Sequence, residues 1–171
     1  MNPLPEHPTE ADKQALNNAL IEARNQLLAL VRDLPPEQRE QPNVVGYWSI
    51  RDVVGHLASW EHRLLNWVQM VRNRELAKID WPASDADDDQ WNHQQYLRKR
   101  AWTWIETIRE MALLREEVLW NVAWASPEQL FAPATLPGGE VVSMASFFND
   151  MAEHDLEHSA QLRAWLTEQT A

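Results

Sequence analysis

The sequence predicts an all-α protein, a single four-helix bundle with a short extra helical turn before its last helix. Three observations carry this. Pro and Gly leave four long uninterrupted stretches, at 9–34, 56–81, 83–126 and 140–171. Within them apolar residues recur every three or four positions, the period of a helix face. No alternating apolar run of strand length competes with that pattern.

The elements follow in chain order. Residues 1–8 read as a flexible tail. Thr9 with Asp12 three positions on is a helix-start signature, and Leu16, Leu20, Leu27, Leu30 and Val31 then mark one face as far as Pro35-Pro36. A second helix opens at Ser49, with Asp52 as the reciprocal cap, and is expected to run to about Leu76. A third starts among the acidic residues of 84–89, which suit a helix N-terminus, and continues to about Trp120. It is longer than its neighbours, so a bend or a frayed end is expected. Ser126-Pro127-Glu128 reads as the short extra turn, with Pro in the first helical position. A Pro/Gly-rich loop covers 132–142, in which Val141-Val142 is too short for a strand; Val44-Val45 is likewise read as loop. Ser143 then caps a last helix reaching about Thr167. The whole of 1–171 is one domain, without repeats or low-complexity linkers.

Composition narrows the function. The formal charge of −11 and the lack of any cationic run longer than Arg98-Lys99-Arg100 argue against a phosphate-backbone partner, so no nucleic acid is expected. No apolar segment approaches the ~18 residues of a membrane span and the start lacks a targeting pattern, so no membrane is expected and the reading is cytoplasmic. With no cysteine there are no disulfides, no Cys-ligated metal and no thiol nucleophile of the chain's own. Ten tryptophans serve as core aromatics, with the sharper alternative that some wall a cavity.

The histidines are the informative residues. On the last helix, at about 100° per residue, Met144, Phe147, Phe148, Met151, His154, His158, Leu162 and Leu166 share one arc of about 120°. Two imidazoles thus stand where leucine is expected. Their i, i+4 spacing puts them about 5–6 Å apart, able to share a metal ion. His56 borders the apolar face of the second helix, whereas His62 falls among polar positions, His7 in the tail and His93 in an Asp-rich helix start. Spacing alone leaves two readings open: a three-His metal site, or core histidines satisfied by Asp155, Asp150, Gln161 or water. His154-Asp155-x-x-His158 departs from the zincin pattern by its Asp, and Ala164 stands where a metzincin needs His. Asp85 and Asp87–Asp89 lack the Gly and closing Glu of an EF-hand. No P-loop, nucleophile elbow or dinucleotide fingerprint is present.

At these residues the chain resembles the DinB/YfiT-like superfamily of four-helix-bundle metalloenzymes. The likeness lies in WSIRDVVGHLASWE at 48–61 and EHDLEHSAQ at 153–161, the latter similar to the family's H-x-x-x-H-x-x-Q stretch. It implies His56, His154 and His158 as ligands of a divalent metal, Zn or Ni. Family members include thiol transferases using bacillithiol, mycothiol or glutathione, and maleylpyruvate isomerases. DQWNHQQY at 89–96 also resembles the DfsB/ClbS branch, in which a colibactin-resistance protein acts without this triad.

Three neutral imidazoles leave coordination positions open, the composition of a catalytic centre rather than a closed structural one. The leading expectation is a metal-dependent S-transferase of detoxification type, joining an external low-molecular-weight thiol to a small-molecule electrophile. The alternatives are a non-catalytic small-molecule binding protein with a Trp-lined cavity, and a metal-dependent hydrolase. Asp52, Trp60, Asp150 and Gln161 are candidates for orienting the imidazoles or binding substrate. Arg63 is a candidate for holding an anion. The resemblance and the aromatic surplus also suggest a homodimer.

Overall fold

Hydroxyl residues start the long helices. In the computed structural model, which describes residues 5–169, Thr9 caps α1 (Glu10–Val31) and Ser49 caps α3 (Ile50–Arg72), each reciprocated by an Asp three positions on. A four-residue α2 (Pro36–Arg39) starts within the Pro35-Pro36 pair, with Pro35 at its N-cap. Then come α4 (Asp85–Lys99), α5 (Trp104–Trp124), α6 (Pro127–Phe131) and α7 (Met144–Gln169), whose first turn is held by Ser143 Oγ accepting from Ser146 N at 3.0 Å. The bundle proper is α1, α3, α5 and α7. Of the expected tail, residues 1–4 lie outside the described residues; residues 5–8 precede α1 without regular structure. No described helix is long and apolar enough to cross a membrane.

Four local expectations are corrected. The expected third helix is two helices: Thr103 and Glu106 form a capping box, with Thr103 N donating to Glu106 Oε2 at 2.7 Å, and the chain turns at 100–103. The second helix ends at Arg72, because Arg74 adopts a left-handed conformation (φ 60°) and Glu75 N and Arg74 N bond back to Met70 O and Val71 O, a Schellman ending; a 3₁₀ turn at Leu76–Lys78 follows. The loop at 132–142 holds a two-stranded ribbon, β1 (Ala134–Thr135) antiparallel to β2 (Val141–Val142), closed by Gly139 at φ 99°. A bridge from Val45 to Trp48 around Gly46 (φ 58°) orders the loop before α3.

The core is divided. On α1 the buried residues Leu16 and Leu20 belong to one apolar cluster and Leu27 and Val31 to another, and Arg24 lies between. The same holds for Glu61 on α3, Arg115 on α5 and Asp155 on α7. These four buried side chains meet. Arg24 is bidentate to Asp155 (2.9 and 3.1 Å) and donates to Glu61 at 3.0 Å. Arg115 donates to Asp155 at 2.8 Å, and its Nε stands 2.6 Å from Glu61 Oε1. Remaining guanidinium N–H groups reach the carbonyls of Met111 and Leu20.

Two cations and two anions thus form a neutral layer across all four bundle helices. Removing one member of a buried set strands its partners, at about 3–5 kcal/mol. Asp155→Asn, which keeps the shape and deletes the charge, is expected to lower unfolding free energy by about that amount in urea titration. A loss below ~1 kcal/mol would contradict the interdependence of the four charges.

Candidate metal centre

The centre lies beside this charged layer. His56 comes from the first half of α3, one turn after the capping box; His154 and His158 come from the middle of α7. All three Nε2 atoms converge. His154 Nε2 lies 3.0 Å from that of His56 and 3.1 Å from that of His158, and the three candidate ligand atoms fall within 4.8 Å of one another.

A neutral imidazole nitrogen carries one proton or one lone pair, so His154 Nε2 cannot satisfy two neighbours at these distances by ordinary hydrogen bonds. A cation resolves the conflict. Bonds of about 2.0–2.1 Å place two ligand nitrogens about 3.3 Å apart on a tetrahedron and about 3.0 Å apart on an octahedral edge. Both edges at His154 therefore match a divalent ion, and His56 and His158, with all three atoms inside 4.8 Å, are the further ligands it would draw in.

Protonation points the same way. Burial, reinforced by His154, His158 and Lys99, pushes the His56 pKa down to about 2. Burial, then His158 and Arg24, takes His154 to about 3. His158 is also lowered by burial, opposed by Glu157, Gln161 and Asp155. The rings are thus neutral, the form that ligates. His56 Nδ1 and His158 Nδ1 are buried without a partner of good geometry. Gln161 acts on His158 as an acceptor, although its Oε1 does not reach good hydrogen-bond geometry either.

The other sequence candidates separate. Trp60 is edge-on to both His56 and His154 and donates from Nε1 to Asn92 Oδ1 at 2.8 Å. Asp52 lines the cleft at His56, but its oxygens are engaged by Ser49 and Arg51. Asp150 is half-buried one turn before His154, and burial aided by Glu153 raises its pKa to about 6. Arg63 binds Asp80 O and Asp88 and lies 4.7–4.9 Å from the rings of Trp60, Trp67 and Trp91. It fastens α4 to α3 rather than facing the imidazoles. His62 and His93 are exposed, as the polar wheel position of the one and the Asp-rich helix start of the other imply.

Two groupings of residues escaped the sequence reading, although Trp48, Asn92, Gln95 and Tyr96 stand within the stretches that carry the family resemblance. Asn92, Gln95, Tyr96 and Lys99 of α4 roof a narrow cleft over His56, about 10 Å³ and room for roughly one water, with Trp48 as its wall, 4.5 Å from the imidazole. Lys99 donates to Gly55 O at 3.0 Å and pairs with Glu110. Nothing in their spacing marks these residues, since α4 carries no fully buried side chain. The charged layer did leave a signal: Arg24 sits four after Leu20 and three before Leu27, inside the apolar stripe.

Comparison with known proteins agrees with this architecture. A family profile described as the DinB superfamily matches residues 19–162. No curated protein matches the chain. Among solved structures, YfiT from Bacillus subtilis, described as a probable metal-dependent hydrolase with an unusual four-helix bundle topology, is similar with a TM-score of 0.73 at 15% identity, covering 99% of this chain and 94% of that one. An uncharacterised protein from Escherichia coli UTI89 is similar at 0.77 and 14%, covering 92% and 94%. The colibactin self-resistance protein ClbS, solved in complex with double-stranded DNA, is similar at 0.76 and 13%, covering 90% and 94%. At such identities the likeness concerns the fold.

Neutral buried imidazoles make the metal-free protein acid-sensitive. Below about pH 6.5 the unfolded chain takes up protons that the folded rings refuse, so stability present at neutral pH is lost as pH falls toward 3. Asp150 has the opposite sign, because its raised pKa favours the folded state as pH drops through about 6. Urea midpoints of chelator-treated protein should fall with acid, more steeply in Asp150→Asn and less steeply in His154→Leu. A midpoint that stays flat would contradict the burial of the rings.

Proposed function

The chain belongs to the DinB superfamily, and from that premise we propose that it is a divalent-metal-dependent enzyme that transfers a low-molecular-weight thiol to a small electrophile. The observation that carries the reading is the convergence of three histidine Nε2 atoms from α3 and α7, one of which, that of His56, belongs to a ring that lines a cleft. A Zn²⁺- or Ni²⁺-class ion bound there would leave positions open to an external ligand and would favour the thiolate form of a bound thiol, the nucleophilic species.

The protein's own part is positional. Histidines kept neutral by burial offer their lone pairs to a metal without first losing the proton of an imidazolium. Trp48 and Tyr96 supply aromatic wall, and α4 limits water above His56. Within the cleft lining the sole carboxylate is Asp52, already bound by Ser49 and Arg51, so on the His56 side no free carboxylate stands ready to activate water. That favours thiol transfer. Likeness to YfiT favours the second reading, metal-dependent hydrolysis. The chain's charge of −11 supports a small-molecule substrate rather than nucleic acid, although the similar ClbS was solved with DNA.

Elemental analysis of untagged protein purified without chelator is expected to find near-stoichiometric Zn or Ni in the wild type and its loss in His154→Ala. A wild type that neither contains nor takes up metal, or a His56→Ala variant that keeps full occupancy, would overturn the triad. With metal established, conjugation of an electrophile such as chlorodinitrobenzene should require added thiol and fall at least ~100-fold in His56→Ala. Turnover of an ester substrate without thiol would select hydrolysis instead.

A further inference from the structure

The tryptophan surplus is only partly explained by the core and the metal cleft. Trp120 and Trp124, one turn apart on α5, remain 62% and 79% exposed. Their rings are stacked, 6.0 Å apart and 18° from parallel. Exposed tryptophan is costly to leave in water and marks contact surfaces when it clusters. Here it forms the wall of a groove of about 880 Å³ between the ends of α3 and α5 and the segment joining α6 to β1. Val71, Leu76, Ala125 and Met144 supply further apolar lining.

The charges of the groove run against those of the protein. Its lining includes Arg72 and Arg74 and no Asp or Glu, in a chain whose net charge is −11. Arg72 makes one long bond, 3.4 Å to Asn121 Oδ1. The Arg74 guanidinium has no hydrogen bond or ion pair among the described residues. Arg74 also occupies the left-handed position of the Schellman ending, where glycine is the unstrained choice. An arginine held there leaves its charge at the rim of the groove.

We propose that this groove is a second ligand site, for an amphipathic anion: an apolar body lying on the Trp120–Trp124 wall and one carboxylate, sulfonate or phosphate head between Arg72 and Arg74. Its volume falls within the range of small-molecule sites, roughly 300–1,000 Å³. Met144 and His154 are about ten residues apart on α7, so the groove lies roughly 15 Å along the helix from the metal centre. It is independent of the thiol-transfer reading.

The test uses full-length protein and two anionic probes, laurate for an acyl body and pyrenebutyrate for an aromatic one, with dodecanol as the uncharged control. Calorimetric titration should give one saturable site for at least one anion, and the better of the two identifies the body. Trp120→Ala/Trp124→Ala should weaken binding at least tenfold. Arg72→Gln/Arg74→Gln should abolish the preference for the anion over dodecanol. All four residues lie outside the buried core, and unchanged circular dichroism and unchanged metal content would show that the variants remain folded. Binding unaltered in both variants, no binding of either anion, or equal affinity for dodecanol would overturn the proposal. So would sedimentation showing that the double-Trp variant dissociates a wild-type dimer, or tighter binding to anionic vesicles than to either monomeric probe, since the groove would then serve a second copy or a membrane surface.

Discussion

The Arg24–Glu61–Asp155–Arg115 layer is the constraint on which the rest of the bundle depends. Apolar faces of helices can slide past one another at little cost, because leucine packs against many registers. A bidentate arginine pair cannot slide without stranding charge. Each of the four bundle helices contributes one member, so the layer sets their axial positions together. Such sets add little net stability against an apolar alternative, and their contribution is specificity of register.

The candidate metal centre inherits that register. Asp155 follows His154 directly, and Glu61 lies five residues after His56, so the layer that aligns α3 with α7 also brings the three imidazoles to one point. This is the level of positioning that a metal requires, since ligand nitrogens must meet within a few tenths of an ångström. The roof over the site is built differently. With no fully buried side chain, α4 is held by polar and aromatic contacts: Trp60 to Asn92, Arg63 to Asp88 and Trp91, and Lys99 to Gly55 and Glu110. Elements with little apolar burial open most readily, so the core is kept rigid while the access side is loosely fastened.

How much was legible follows from which signals are local. The capping pairs Thr9/Asp12 and Ser49/Asp52 and the arc of His154 and His158 among Met and Phe were all readable, because each depends on neighbours within two turns. The break in the expected third helix had an equally local signal in Thr103 and Glu106, but it stands in a stretch free of Pro and Gly, and an unbroken pattern masked it. The short ribbon at 134–142 was not readable, since pairs of two residues depend on the turn between them rather than on alternation.

By itself the sequence determined the helical class, the capped starts of the long helices and the candidacy of His56, His154 and His158, because helix periodicity and capping are written in residues close along the chain. Only the tertiary structure decided that the three Nε2 atoms converge, that Arg63 fastens a helix instead of facing the imidazoles, that α4 covers the cleft, and that Trp120 and Trp124 stay outside the core. Those facts depend on the register and crossing of helices distant in sequence. A buried charge layer and the shape of packed side chains set them, and no periodicity along one helix encodes which residue of another it will meet.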